Sequence, residues 1–278
     1  MKQLRIALPS GSLFDATILL FARIGMAIKF GDRRFMAKVE TGNIIVTFIL
    51  DRPQDIPSGI LRGSYDAGIC GWDCCVESGL EARLVIISEL AYAKKSRSIA
   101  EVVVFGKIDQ LIDTEDILVA TEFRALASRV FIKARLILSC GCTEGKVLYG
   151  GFDYGVGITE TRKSLEVNGL KVVKTILKSP TVLIARKESP EINILGDILH
   201  GALAAEKQTL LKFDCSSQIK EDILTWLPAI EAPTINQLSN GDLAIETVLS
   251  KDELADQLIR LKLAGATGII VQDFNILL

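Results

Sequence analysis

Short apolar runs bounded by small turn-forming residues alternate with stretches of helical spacing along most of the chain. Residues 4–8 read as a strand that ends in Pro9-Ser10-Gly11, and a helical pattern follows over 12–26. Residues 44–50 form a second apolar run, and Pro53 and Pro57 disfavour its continuation as strand or helix. A short helix is expected up to about Gly63, then strands at 66–70 and 84–87. The middle repeats the theme, with strands at 102–105, 117–121, 136–138, 172–177 and 182–185 and helices at 125–133 and 143–149. Residues 192–209 read as one long helix. The last seventy or so residues predict a helix at 220–227 stopped by Pro228, a strand at 243–249, a helix at 252–263 and a strand at 269–271. In the second of these helices Leu254, Leu258 and Leu261 fall on one face, and Gly265 stands where a helix end is expected. Strands that alternate with helices predict an α/β fold, and the final segment predicts a separate β-α-β module.

Composition narrows the classes. Mean hydropathy is high at +0.34, yet no apolar run approaches the ~18 residues of a membrane span. Residues 1–5 lead directly into a strand pattern without the apolar segment of a secretory signal, so a cytoplasmic location is expected. A net charge of −2 with both signs mixed argues against a nucleic-acid footprint. The cysteines at 70, 74, 75, 140, 142 and 215 lack zinc-ribbon spacing, and the one histidine, His200, is distant in sequence. They are expected to be reduced thiols. A single histidine also weakens any Ser/His or Cys/His nucleophile scheme.

Candidate chemistry collects at turns that follow strands, where open α/β sheets bind ligands. These turns are Pro9-Ser10-Gly11-Ser12, the segment from Arg52 to Asp55, Gly71-Trp72-Asp73, the segment from Ser139 to Glu144, and 155–165. The stretch 141–170 carries the most information. There small and hydroxyl residues precede a helical pattern, an arrangement that offers N–H groups and hydroxyls to an anion. Arg52 offers a guanidinium fork for phosphate, Asp73 and Glu144 are acceptors suited to sugar hydroxyls or a hydrated Mg²⁺, and Trp72 can stack on a base. Gly150-Gly151-Phe152-Asp153-Tyr154-Gly155 lacks the spacing of a dinucleotide fingerprint.

Several stretches occur in one order along nearly the whole chain: Arg5-Ile6-Ala7-Leu8-Pro9-Ser10-Gly11-Ser12-Leu13, Arg52-Pro53-Gln54-Asp55-Ile56-Pro57, Asp66-Ala67-Gly68-Ile69-Cys70-Gly71-Trp72-Asp73, Val119-Ala120-Thr121-Glu122-Phe123, and the segment from Glu144 to Leu165. Glu231-Ala232-Pro233-Thr234-Ile235 and Leu263-Ala264-Gly265-Ala266-Thr267-Gly268-Ile269-Ile270-Val271 complete the set. Together they resemble ATP phosphoribosyltransferase, the first enzyme of histidine biosynthesis, in its long, regulated form. The resemblance implies two periplasmic-binding-protein-like lobes around a cleft. Lobe I would comprise 1–92 and 181–208, and lobe II 93–180. A ferredoxin-like (ACT-like) α+β regulatory domain would follow at 209–278. It also implies transfer of the phosphoribosyl group of phosphoribosyl pyrophosphate to N1 of ATP with Mg²⁺, inhibition by histidine, and assembly as a dimer or hexamer. Neither nucleic acid nor membrane is among the expected partners.

Carried over residue by residue, the resemblance assigns Thr159, Glu160, Thr161, Arg162, Lys163 and Ser164 to the phosphoribosyl-pyrophosphate loop. Glu144 and Asp153 would flank the ribose and metal region. Ser10, Arg52, Asp55, Gly71, Asp73 and Thr121 would form the wall for ATP or pyrophosphate, and Thr234, Leu238 and Ala266 would meet histidine. Displacement at an anomeric carbon needs positioning and charge stabilisation, so no side chain is expected as nucleophile or acid/base. This chain departs from the family pattern at Ser10 and Ser12, where basic residues are usual. In the loop, Gly157 stands in place of an Asp and Arg162 in place of a Gly. A second reading of the same residues is a catalytically impaired paralogue that senses a nucleotide or histidine.

Overall fold

The computed structural model describes residues 2–42, 44–92 and 99–278. The first lobe starts with β1 (Lys2–Pro9), α1 (Phe14–Arg23), β2 (Met36–Thr41), β3 (Ile44–Asp51), α2 (Ile56–Leu61), β4 (Ala67–Gly71), α3 (Trp72–Glu77) and β5 (Val85–Leu90). β1 lies between β3 and β4 and is parallel to both. The ends Pro9, Asp51 and Gly71 therefore share one sheet edge, which collects the turns named above. Ile6, Ala7, Leu8, Phe48, Ile69 and Cys70 are wholly buried, as expected of strands covered on both faces.

The chain then enters the second lobe through β6 (Ala100–Gly106), β7 (Leu118–Thr121), α4 (Arg124–Ser128), β8 (Arg135–Leu138), α5 (Thr143–Tyr149), β9 (Tyr154–Thr159), α6 (Lys163–Val167) and β10 (Lys171–Ser179). The sheet order is β10-β6-β9-β7-β8. β7 runs parallel to β8 and β9, while β6 is antiparallel to β9 and β10. β6 is buried on both faces: Val102 and Val104 join one core, and Val103 and Phe105 join another with Val147, Leu165 and Leu170. The chain returns through Pro180 to β11 (Thr181–Ala185), which inserts antiparallel between β4 and β5 and completes the order β2-β3-β1-β4-β11-β5. Lobe I is thus discontinuous, and the architecture is the two-lobed periplasmic-binding-protein type.

α3 joins the two lobes. Its Val76 belongs to the lobe II core, and Trp72 packs against the cores of both lobes. The Glu77 carboxylate accepts the N–H groups of Ala125 (2.8 Å) and Leu126 (2.9 Å), capping α4 from the other lobe.

α7 (Pro190–Ala205) leads to a second compact unit with β12 (Gln208–Cys215), α8 (Lys220–Trp226), β13 (Thr234–Gln237), β14 (Leu243–Ser250), α9 (Leu254–Ala264) and β15 (Thr267–Gln272). Its antiparallel sheet has the order β13-β14-β12-β15, the ferredoxin-like arrangement of a β-α-β-β-α-β chain. Leu211, Phe213, Cys215, Ile245, Leu249 and Leu261 form its core.

The structure amends several expectations. The long helix stops at Ala205, and Gln208 already begins β12, whose alternate residues Thr209, Leu211, Phe213 and Cys215 are buried. The compact units divide between His200 and Gly201, inside α7, rather than at 208/209. The last turns of α7 belong with the second unit, where Leu277 N–H donates to Gly201 O at 3.0 Å. Residues 154–159, expected in a loop, are strand β9, and β2, α3 and β13 were not anticipated.

Opposite Phe105 in the β6–β9 ladder stands Gly155. A Cβ there would run into Cζ and Cε2 of the Phe105 ring and lie 3.1 Å from Cε1, whereas one on Gly157 would only touch Cε1, at 3.4 Å. Overpacking costs about 1–3 kcal/mol. Chemical denaturation should therefore register a loss of that size for Gly155→Ala and at most a small one for Gly157→Ala.

Candidate active site

Lobe II presents a small pocket at the edge formed by the ends of β7, β8 and β9. It encloses about 60 Å³ and is lined by Val103, Phe105, Glu122, Thr143, Glu144, Gly157, Ile158, Thr159 and Leu165. A polar chain runs along its rim. Lys146 Nζ donates to Ser139 Oγ (2.7 Å), Ser139 Oγ lies 3.1 Å from Thr143 Oγ1, and Thr143 Oγ1 donates to Glu122 Oε1 (3.3 Å). These bonds join the turn after β7, the turn after β8 and the first turns of α5. Glu144 receives a long 3.5 Å bond from Ser164 Oγ, which links α5 to α6. The pocket thus brings two carboxylates, two threonine hydroxyls and the start of the 159–164 turn to one place.

The turn itself is shaped by an unusual residue. Arg162 has φ +58°, in the left-handed region, which costs a non-glycine residue roughly 1–2 kcal/mol. Its N–H donates to Thr159 Oγ1 at 3.0 Å, and its carbonyl accepts from Leu165 and Glu166 at 3.0 and 3.1 Å. Its guanidinium is engaged with Glu101 Oε2, through Nε at 3.1 Å and also through Nη2, and reaches Thr175 Oγ1 at 3.4 Å. Arg162 is therefore not among the residues that line the pocket. Its part in the turn is played by its backbone.

Among the other expected loop residues, Thr159 lines the pocket, Glu160 and Thr161 follow it in the turn, and Lys163 and Ser164 open α6 as exposed side chains. Asp153 is placed elsewhere. It precedes β9 at the edge away from Thr159, about 20 Å along the strand by strand rise, and its Oδ2 accepts the Leu118 N–H at 2.8 Å. It caps the start of β7 and does not flank the pocket. Thr121 lies on lobe II, at the end of β7. It is wholly buried, with its Oγ1 accepting the Phe123 N–H at 2.9 Å. Glu101 was not singled out from sequence; Ser139 and Thr143 fell in a candidate turn, and Glu122 and Lys146 in stretches that carry the resemblance, without a role of their own.

On lobe I, Ser10, Arg52, Asp55 and Gly71 fall at the ends of β1, β3 and β4 as expected, with Arg52 and Asp55 exposed. Asp73 is different. Only 7% of it is exposed, and the Ser179 Oγ, at the crossing from lobe II, both donates to its Oδ1 (2.5 Å) and accepts its N–H (2.8 Å). Gly71 must be glycine here, because a Cβ would collide with Asp73 Oδ1. Asp73 is thus a joint between lobes rather than an open ligand group.

In the second unit, Thr234 opens edge strand β13, Leu238 is half-buried, and Ala266 is a core residue at 1% exposure. β13 and β15 are opposite edges of the sheet, about 14 Å apart at normal strand spacing, so Thr234 and Ala266 do not converge within one chain. Cys70, Cys74, Cys75 and Cys215 are buried thiols, while Cys140 and Cys142 are exposed beside the pocket turn. No helix among the described residues is long and apolar enough to cross a membrane.

Burial is the main influence on the Asp73 carboxyl and pushes its pKa up, against the opposing Ser179 hydrogen bond. Between the ordinary carboxylate value and that raised value, the folded chain binds the extra proton, so stability falls as pH rises through this window. Asp73→Asn keeps the acceptor for Ser179 and removes the titration. Denaturation curves at stepped pH should show the wild type losing stability relative to Asp73→Asn as pH climbs from 4 upward.

Comparison with known proteins places these features. The ATP phosphoribosyltransferase family model matches residues 52–203, and the model of the HisG C-terminal domain matches 205–275. ATP phosphoribosyltransferase of Pelotomaculum thermopropionicum is 35% identical over 284 residues, covering 96% of each chain. ATP phosphoribosyltransferase 1 of Geobacter sulfurreducens is 32% identical over 288 residues, covering 98% of each. Among solved structures, the ATP phosphoribosyl transferase (HisG:HisZ) complex of Thermotoga maritima shares the fold, with a TM-score of 0.54 and 24% identity over 66% of this chain and 87% of that one. With a family model over more than half its length and relatives above 30% identity along nearly all of it, the chain belongs to the ATP phosphoribosyltransferase family.

Proposed function

We propose that this protein transfers the phosphoribosyl group of phosphoribosyl pyrophosphate to N1 of ATP and releases pyrophosphate, the first step of histidine biosynthesis. The observation that carries this reading is the lobe II pocket. There Glu122, Glu144, Thr143 and Thr159 converge beside the 159–164 turn, in a chain that aligns end to end with enzymes of that name. The N1 lone pair of the adenine forms the new bond to the anomeric carbon. The bond to the pyrophosphate oxygen breaks, and its electron pair leaves with pyrophosphate. Such a displacement needs the two substrates held in line and the leaving charge stabilised.

The residues divide the work. Thr159, Thr161, Lys163, Ser164 and the turn's N–H groups hold the 5-phosphate. Glu122 and Glu144 accept the ribose hydroxyls, taking over the acceptor that Gly157 lacks. Ser10, Arg52 and Asp55 line the lobe I edge for the nucleotide or pyrophosphate. Magnesium favours hard oxygen ligands and usually retains several waters. Glu122 and Glu144 fit that preference, and the ion, when bound, would neutralise pyrophosphate charge. Histidine acts as feedback inhibitor through the ferredoxin-like unit, the protein works in the cytoplasm, and copies assemble as a dimer or hexamer. The impaired-paralogue reading gains no support, because both the left-handed turn and the acceptor carboxylates are present despite the changes at 157 and 162.

Pyrophosphate release from ATP and phosphoribosyl pyrophosphate tests the reading, and no turnover in a folded sample would refute it. Loss of a charged hydrogen-bond acceptor costs about 1.5–3 kcal/mol. Glu144→Gln and Glu122→Gln should each raise the KM for phosphoribosyl pyrophosphate by roughly ten- to a hundredfold. Histidine that binds only the folded chain must raise its stability, so the melting temperature should climb with millimolar histidine. A melting curve unmoved by it would remove the inhibitor from the account.

A further inference from the structure

β6 and β9 form a ladder in which Phe105, Val103 and Glu101 stand opposite Gly155, Gly157 and Thr159. Phe105, Val103 and Gly157 line the pocket. The third pair brings a carboxylate to the start of the substrate turn, where the Glu101 side chain is mostly shielded, at 20% exposure. From there it takes the Arg162 guanidinium through both Nε and Nη2. Thr175 on the neighbouring strand β10, opposite Val103, supplies a further acceptor at 3.4 Å.

We propose that Glu101 is a positioning residue for the phosphoribosyl-pyrophosphate loop: by anchoring the Arg162 side chain it holds the Arg162 backbone in the left-handed conformation that the turn into α6 requires. The inference rests on the loop assignment under the proposed function. An L-residue at φ +58° drifts back toward ordinary backbone unless something outside the turn holds it. The Arg162 carbonyl accepts the Leu165 and Glu166 N–H groups, and its own N–H donates to Thr159. A change of φ at Arg162 therefore moves both the pocket-lining Thr159 and the first turn of α6. The anchor and the strained residue are a matched pair. A glycine at 162 adopts this φ without an anchor, so Glu101 is needed only while an arginine stands there.

A double-mutant cycle tests this dependence. Glu101→Ala should raise the KM for phosphoribosyl pyrophosphate roughly tenfold while kcat stays within about threefold, the pattern of lost substrate binding rather than lost chemistry. Glu101→Gln, which keeps the shape and an acceptor, should show a smaller rise in the same direction. In an Arg162→Gly background the same Glu101→Ala change should alter KM by less than about threefold. An equal KM rise in both backgrounds, or none in either, overturns the proposal. Hydrogen exchange at the Leu165 and Glu166 amides reads the turn without any substrate. Exchange should quicken in Glu101→Ala and return toward the wild-type rate in Glu101→Ala/Arg162→Gly. If the wild type neither turns over nor binds phosphoribosyl pyrophosphate, the functional reading fails, and the exchange cycle alone then decides whether Glu101 anchors the turn.

Discussion

The two lobes depend on one buried joint. Where the chain crosses back from lobe II, Ser179 is locked to both the N–H and the carboxylate of Asp73, and the Pro180 carbonyl accepts the Trp72 N–H at 2.9 Å. A buried carboxylate without partners would be costly, so this one constrains its surroundings strongly. A Cβ on Gly71 would collide with its Oδ1, and an apolar residue at 179 would remove the hydroxyl that donates to it. From that joint α3 extends toward lobe II, puts Val76 into its core and caps α4 with Glu77. The strand-end turns of lobe I and the pocket of lobe II are thereby held in a fixed relation.

Much of this architecture was legible because its signals were local. Apolar runs stopped by Pro9 and Gly71 marked β1 and β4, runs near Pro53 and Pro180 marked β3 and β11, and the order of the stretches that carry the resemblance marked the two lobes and the ferredoxin-like unit. What escaped was decided by tertiary context. β12 was hidden because 208–215 contains adjacent leucines and follows a helix whose spacing continues into it, and its inward set shows only once β14 and β15 flank it. β9 was hidden by its glycines, which read as a loop until Phe105 is seen to occupy the space beside Gly155. Glu144 and Thr159, expected from their motif, both line the pocket. Glu122 and Glu101 were not, since a carboxylate at a strand end has no distinguishing neighbour in sequence. Asp153 was misplaced for the converse reason. Five residues of strand lie between it and Thr159, and only the strand assignment turns that spacing into distance.

The departures at 157 and 162 come with matching neighbours. Random decay of a site leaves unpaired consequences such as a cavity, a clash or an orphaned charge, because most single changes destabilise without compensation. Here the opposite holds. The Phe105 ring lies where a Cβ on Gly155 would fall and lines the pocket together with Gly157. The arginine at 162 keeps the left-handed φ that glycine would adopt freely, and its charge is met by Glu101, directly across the ladder from Thr159. The acceptor missing at 157 has two carboxylates beside the place it would occupy. The left-handed turn at 162 and the carboxylates Glu122 and Glu144 beside Gly157 are thus present although the residues at 157 and 162 differ from the family pattern. Physical consistency of this kind is what a sequence still constrained to one structure displays.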